Sequence, residues 1–327
     1  MSCKVVVTQD HEGRRLDRTI RSIWPALPLS AVMRAIRKGE VRVDAVRARE
    51  GALRVHGGQE LYVPWEEPGK ETYTPRHRRP PLSVLWRGDN VAVIDKPAGL
   101  LVQPDVKGGD SVVTRAWEMF GSGGPGFSPA AVHRLDRNTT GVLAVALSGE
   151  ALRELERLFK ERLVSKRYLG VVVGALPEKG TIDVPLLKDE ANNLVRAGKG
   201  KSAQTRYERL SINLISNPAP APNGGLSLAS IELLTGRTHQ ARVHMAHVGH
   251  PILGDRKYGN IQVNRRYGFE VKRPLLHAYE LGFPEGLSGA LAELAGKIFR
   301  APIPSDMAVL LREQSWVLPE SFQDILW

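Results

Sequence analysis

Leu16, Ile20 and Ile23 recur at helical spacing near the start of the chain, and Pro25 ends the helix they predict. Ser30 suits the N-cap of a second helix carrying Val32, Met33 and Ile36, with Gly39 at its far end. Val41-Arg42-Val43 alternates like a short strand, and Gln59 to Val63 reads as another. The composition then shifts. Between Pro64 and Pro81 the chain has no apolar period, only Glu66, Glu67, Pro68, Gly69 and the basic run Arg76-His77-Arg78-Arg79, which marks a linker. From Leu82 onward, strand-sized apolar runs at 91–94, 142–147, 169–173 and 228–234 alternate with helical stretches. One such helix carries Leu152, Leu155, Leu158, Phe159 and Leu163, with Ser148 as its cap and Glu150 in its favourable first turn. Gly121 to Gly126 and Pro218 to Gly225 read as loops. The pattern predicts an α+β protein with a small module over 1–64, a linker over 65–81 and a larger mixed-sheet domain over 82–327.

Composition changes this picture in one respect. A hydrophobic share of 42% with 25% charged residues is ordinary for a water-soluble chain, whereas a net charge of +11 over 327 residues suits a polyanionic partner. Much of the charge falls in the first module, as Arg14, Arg15, Arg18, Arg21, Arg34, Arg37, Lys38 and Arg42. A helix pair with such a face could lie along a phosphate backbone, and charge alone weighs that evenly against a solvated surface. The single cysteine, Cys3, sits at a terminus expected to fray and allows neither an intrachain disulfide nor a cysteine zinc site. The start of the chain is too weakly apolar for a signal peptide, and no apolar run has the length of a membrane span. A cytoplasmic protein without a membrane partner is expected, with a monomer as the default assembly.

Three segments carry candidate chemistry. In His133-Arg134-Leu135-Asp136-Arg137-Asn138-Thr139-Thr140-Gly141, one carboxylate stands between two arginines and before an apolar strand. Facing a cleft, Asp136 could act as nucleophile or base; facing water, it would be a solvated ion pair, which spacing alone favours. In Thr235 to His244, Thr238 is a plausible N-cap and Gly249 a plausible stop. Arg242 then lies on the face of His239 and Met245, where it could pair with a carboxylate from elsewhere. In Lys166-Arg167-Tyr168-Leu169, at a strand start, Tyr168 is either a core residue or a flat ring available for stacking.

Other chemistries lack support. His239, His244, His247 and His250 crowd one helix and its exit, yet no acidic residue falls among them in the His-Glu-x-x-His manner. Gly200-Lys201-Ser202 has Val195 where a phosphate-binding loop needs glycine, and Gly286-Leu287-Ser288 has Ala290 where a nucleophile elbow needs one. No metal and no nucleotide cofactor are expected.

The wording of these segments resembles a known family. His133-Arg134-Leu135-Asp136 with Thr139-Thr140-Gly141 is similar to the active-site motif of RluA-type pseudouridine synthases, with Asn138-Thr139-Thr140-Gly141 where the family usually has Asp-Thr-Ser-Gly. Gly236 to Arg242, followed by Gly249-His250-Pro251-Ile252, Gly254-Asp255 and Tyr258-Gly259, resembles a second signature of that family. Lys166-Arg167-Tyr168 resembles a third, and Asp95-Lys96-Pro97-Ala98-Gly99-Leu100 a first, structural one. Arg15-Leu16-Asp17 with Ile36 to Asp44 resembles the S4 RNA-binding domain, although Asp44-Ala45 replaces its usual Asn-Gly and leaves the turn free to differ.

The resemblance implies an isomerase that breaks the N1–C1′ bond of uridine in RNA and rejoins the base through C5, a reaction needing no cofactor. It implies Asp136 as the catalytic residue, Arg242 as its ion-pair partner, and Tyr168 as the ring against the uracil, able to act in deprotonating C5. Arg134 and His239 are assigned to substrate binding, and His133 to structure. Arg34, Arg37, Lys38 and Arg42, with Arg76, Arg78 and Arg79, would grip RNA. Attack at C1′, attack at C6 and removal of a ribose proton remain open as the carboxylate's step. Large-subunit ribosomal RNA is the expected substrate ahead of transfer RNA, against two rivals: a catalytically silent RNA-binding factor and a nucleoside glycosidase.

Overall fold

The computed structural model describes residues 3–24, 27–66, 79–104, 109–121, 127–189, 192, 194–213, 225–266, 271–313, 316, 319, 320 and 322. Near the N-terminus, strand Cys3–Val6 pairs antiparallel with Glu60–Val63, which pairs in turn with Arg42–Val43, and that strand with Val46–Arg47. Helices α1 (Leu16–Ile23) and α2 (Leu29–Arg37) pack on this sheet. Leu16, Ile20, Val32, Ile36, Val41 and Leu61, each no more than 1% exposed, form a core of their own. Cys3 belongs to that core and is paired opposite Val63, so the expectation of a frayed terminus was wrong at this residue.

Helix α2 begins at Leu29, with Pro28 rather than Ser30 as its N-cap. Proline has no N–H to lose at a helix start, and the Pro28 carbonyl takes the amides of Ala31 and Val32 at 2.9 and 3.3 Å. The hairpin between Val43 and Val46 is a two-residue turn with Asp44 at φ 48° and Ala45 at φ 66°. Two left-handed residues in succession are what the usual Asn-Gly provides. The turn therefore keeps its form despite Ala45, braced by Asp44, whose carboxylate accepts from the Glu60 amide and the Gln59 side chain at 2.8 Å each. Pro25 and most of the linker, including Arg76 and Arg78, lie outside the described residues, as do 122–126 and 218–224 of the two expected loops.

The larger region is built on one mixed sheet. Its strands run in the order Lys179–Asp183, Gln204–Asn213, Leu226–Leu233, Ser165–Val173, Leu276–Gly282, Thr140–Ala146, Val91–Lys96 and Ser83–Arg87. All neighbours in this order are antiparallel except Thr140–Ala146 and Leu276–Gly282, which run parallel with Thr140 opposite His277 and Gly141 opposite Ala278. Glycine is required at 141: φ is 114°, and a Cβ there would stand 2.1 Å from the Ala278 carbonyl oxygen. Apolar clusters cover both faces of the sheet, and the Thr140–Ala146 strand is buried along its whole length.

Helix α3 (Val112–Phe120) is capped reciprocally by Ser111 and Thr114. α4 (Gly149–Lys160) starts as expected, with Ser148 Oγ accepting from the Ala151 amide at 3.3 Å. It ends earlier than the apolar spacing implied. Arg162 turns left-handed at φ 63°, the Leu163 amide closes on the Leu158 carbonyl at 3.0 Å, and Leu163 is left 47% exposed.

Candidate active site

Asp136 lies in the loop that feeds the Thr140–Ala146 strand. The Thr139 amide donates to the Asp136 carbonyl at 3.0 Å and closes a turn beneath the carboxylate. Two buried cations hold this turn from below. Lys96 is completely buried, and its Nζ donates to the carbonyls of Pro97, Leu100 and Arg137 at 2.8, 2.8 and 3.0 Å. Burial, helped by the charge of Arg273, brings the Lys96 pKa down to about 7 against the pull of Asp136 and Asp95. Arg273 donates to the Asn138 carbonyl at 3.2 Å while its other nitrogens grip Asp306 at 2.7 and 2.8 Å. Thr140 Oγ1 and His277 Nδ1, 2.8 Å apart, tie the strand's first residue to its parallel neighbour. The backbone carrying Asp136 is thus fixed by three side chains, those of Lys96, Arg273 and His277.

Arg242 comes to Asp136 from α5 (Gln240–His247), 106 residues away, with Nη1 donating to Oδ2 at 2.9 Å. Its other edge is held by Asp255, whose carboxylate accepts from Nε at 2.7 Å and from Nη2 at 2.9 Å. Asp255 has no exposed surface and also accepts from the amides of Lys257 and Tyr258 at 2.9 and 3.1 Å. Burial opposes charge on both partners. The hydrogen bonds and mutual attraction overcome it, holding Arg242 above and Asp255 below their ordinary pKa values.

The helix start differs from expectation. His239, not Thr238, is the N-cap of α5, in a left-handed conformation at φ 55° and without a side-chain cap bond. That conformation turns the imidazole toward the site, where Nδ1 lies 2.7 Å from the Tyr258 hydroxyl and Nε2 lies 3.9 Å from Asp136 Oδ2. Tyr258 Oη also accepts from the Val195 amide at 3.0 Å, which anchors the tyrosine that holds the imidazole. Burial holds the His239 pKa below its ordinary value although Asp136 opposes this. Gly249, at φ 85°, ends the helix as expected.

These groups open on a cleft of about 580 Å³. Tyr168 lines it from the strand Ser165–Val173, at a point where pairing with Leu276–Gly282 shifts register between Arg167 and Leu169. The residue is 7% exposed, and burial with the charge of Asp136 pushes its hydroxyl pKa upward, so Tyr168 is a neutral phenol at working pH. Arg134 stands exposed at the mouth of the cleft, beside Lys160, Arg162, Lys166 and Arg237. His133 faces inward: Nε2 accepts from the Ala144 amide at 3.1 Å and the ring stacks on Phe159 at 4.6 Å.

The structure therefore brings Asp136, Arg242, Tyr168, His239 and Arg134 to one cleft. Arg34, Arg37, Lys38 and Arg42 are exposed together on the N-terminal module. Arg79 departs from expectation: it pairs with Glu118 and, at 3.7 Å, with Asp110, so it braces α3 rather than extending toward a partner. His244 bonds to Thr205 Oγ1 and the Val184 carbonyl, and His250 to the Val173 carbonyl, which are structural uses. Asp255, Tyr258 and Arg273 have no assigned role in the sequence reading, and Lys96 enters it only within the structural first motif. Asp255 and Tyr258 fall inside the second signature, and the signal for Asp255 was the need of a buried arginine for a buried acid.

The family described as RNA pseudouridylate synthase matches residues 90–247. Ribosomal large subunit pseudouridine synthase D of Xanthomonas campestris is 36% identical over 332 residues, covering 95% of this chain and 93% of that protein. Ribosomal large subunit pseudouridine synthase C of Vibrio cholerae is 32% identical over 293 residues, covering 85% and 87%. Among solved structures, human RNA Pseudouridylate Synthase Domain Containing 4 shares the fold, with a TM-score of 0.55 at 24% identity over 73% of this chain and 95% of that one.

Proposed function

The chain belongs to the RNA pseudouridylate synthase family and is an isomerase converting uridine to pseudouridine, and we propose that the uridines it converts lie in large-subunit ribosomal RNA. The observation carrying the residue assignments is the single hydrogen-bonded chain Asp255–Arg242–Asp136, with its free end in the cleft. Support for the substrate is the overlap, along nearly the whole chain, with relatives named for the ribosomal large subunit.

In this reading Asp136 supplies the carboxylate that starts N1–C1′ cleavage, and Arg242 fixes its orientation. Uracil stays in the cleft, turns, and bonds to C1′ through C5; N1 gains a proton and C5 gives one up. Tyr168 stacks on the base. Because its phenol is neutral, it serves in proton transfer as a hydroxyl donor or relay rather than as a standing phenolate. Arg134, exposed and next but one to Asp136, occupies the space left by the extruded nucleotide, at an unstacking cost of a few kcal/mol. His239, with Nε2 3.9 Å from Asp136 Oδ2, contacts the substrate from the α5 side.

Residues 1–64 act in the same reading as an S4-like RNA-binding domain, with Arg34, Arg37, Lys38 and Arg42 against phosphates and an affinity that falls steeply with salt. The enzyme works in the cytoplasm. No helix among the described residues is long and apolar enough to cross a membrane.

The test is tritium release from ribosomal RNA transcribed with 5-tritiated uridine, comparing the native protein with Asp136→Asn. Release by the native protein alone supports base isomerisation at Asp136. No release by either, with activity on transfer RNA instead, moves the substrate assignment. Undiminished release by Asp136→Asn removes Asp136 from the chemistry.

A further inference from the structure

Helix α4 meets the N-terminal module at its first residue. The Gly149 amide donates to Asp10 Oδ1 at 2.9 Å. One turn on, Arg153 donates from Nη1 to the Asp10 carbonyl at 3.3 Å and from Nη2 to the Gln9 carbonyl at 3.5 Å. Ser148, the helix's own cap, takes the Ala151 amide, so two orphan donors of one helix end are satisfied from separate parts of the chain. A carboxylate at this end also meets the positive pole of the helix.

The approach is close. A Cβ at Gly149 would stand 2.3 Å from the Asp10 carbonyl oxygen and 2.8 Å from its Cα, so only glycine lets these two backbones meet. This contact is a shaped seat, and Gly149 is buried in it. The opposite end of α4 belongs to the cleft, whose wall includes Glu156, Phe159, Lys160 and, just beyond the helix, Arg162. Twelve residues of helix span about 18 Å. One rigid element thus carries the basic module at one end and the catalytic cleft at the other.

We propose that the Asp10–Gly149 seat holds the module docked on α4 during catalysis, and that the helix serves as a ruler selecting the target uridine by its distance from the RNA segment held on the module. A module on a loose tether would raise the local concentration of RNA without restricting which uridine enters the cleft. A seated one restricts both. The inference rests on the RNA reading above.

The experiment uses the intact protein with Asp10→Ala and with Gly149→Leu. Tritium release is followed on a full-length large-subunit ribosomal RNA transcript and on a short hairpin, cut from around a modified uridine, that cannot reach the module. Hydrogen exchange at the Gly149 amide is followed alongside. The expected result is a loss of about tenfold in kcat/KM on the long RNA, with modification spreading to further uridines, an unchanged rate on the hairpin, and faster exchange in Asp10→Ala. Native rates on both RNAs would overturn the ruler, and so would equal losses on both, which mark a merely structural contact. Fast exchange at Gly149 in the native protein would overturn the seat itself. Should the native protein release no tritium from either RNA, the substrate reading falls and the ruler with it, while slow exchange at Gly149 still marks the seat as real.

Discussion

Asp255 holds Arg242 by two near-parallel hydrogen bonds of 2.7 and 2.9 Å, and so leaves one guanidinium nitrogen, Nη1, for Asp136. The arginine is therefore a fixed bridge between a buried acid and the acid in the cleft. Lysine cannot replace it, since an ammonium is a point charge without the fork needed to reach both carboxylates in one plane.

Asp255→Asn leaves the guanidinium with the partly exposed Asp136 as its counter-charge and removes the buried one, at a cost of about 3 kcal/mol in stability. Arg242→Lys keeps the charge and loses the bridge. Both variants should retain RNA affinity in a filter-binding measurement and lose most of kcat in tritium release. Native kcat in Asp255→Asn would show that the orientation of Arg242 does not matter to the reaction.

Tyr168→Phe keeps the ring and removes a hydroxyl that a neutral phenol uses only as a donor or relay. The expected outcome is a fall in kcat with KM for RNA little changed, whereas Tyr168→Ala should raise KM as well by removing the stacking face. A phenylalanine variant with native kcat would assign Tyr168 to stacking alone.

Ala45 carries a left-handed conformation at φ 66° that glycine adopts without a Cβ penalty. Ala45→Gly should raise stability by about 1 kcal/mol, read as a higher urea midpoint with the slope unchanged. Asp44 keeps its two hydrogen bonds in the variant. A lower midpoint would mean that the entropy gained by the unfolded chain outweighs the relieved strain.

Acid should destabilise the protein through two histidines kept neutral in the folded state. Burial, with the nearby charge of Lys166, pushes His133 down to about 3, and burial pushes His277 down to about 4, from an ordinary 6.5. The folded pKa is depressed in both, so their stabilisation is present above pH 6.5 and is lost as pH falls toward 4 and 3. Asp95, raised by burial to about 6 from 3.8, works in the opposite direction over that narrower window. His133→Gln can still accept from the Ala144 amide and does not titrate. Its unfolding free energy should therefore vary less with pH between 6.5 and 4 than that of the native protein. Parallel curves would remove His133 from the acid response.

Much was legible in the residues alone. Apolar spacing located the cores of the strands around 91, 142, 169 and 228, and Ser148 marked the start of α4, because each is decided within a few residues. The wording around Asp136, Tyr168 and Arg242 named the family and the members of the cleft. The helix starts at Pro28 and His239 were missed where Ser30 and Thr238 offered equally good local chemistry, and tertiary packing chose between them. Leu163 kept the apolar period but fell outside α4, since a left-handed Arg162 ends the helix before it.

What the sequence determined by itself is what short-range chemistry settles: element types, a basic first module, and a carboxylate flanked by arginines. What only the tertiary structure decided is which of the many charges meet. Arg242 reaches Asp136 across 106 residues, Asp255 takes the other side of the same guanidinium, and Lys96 and Arg273 hold the carbonyls under the loop. Arg79 pairs away from the expected RNA-facing role. The physical reason is that an ion pair depends on a few ångströms of separation and on the water excluded around it, and both are set by how distant segments of the sheet pack together.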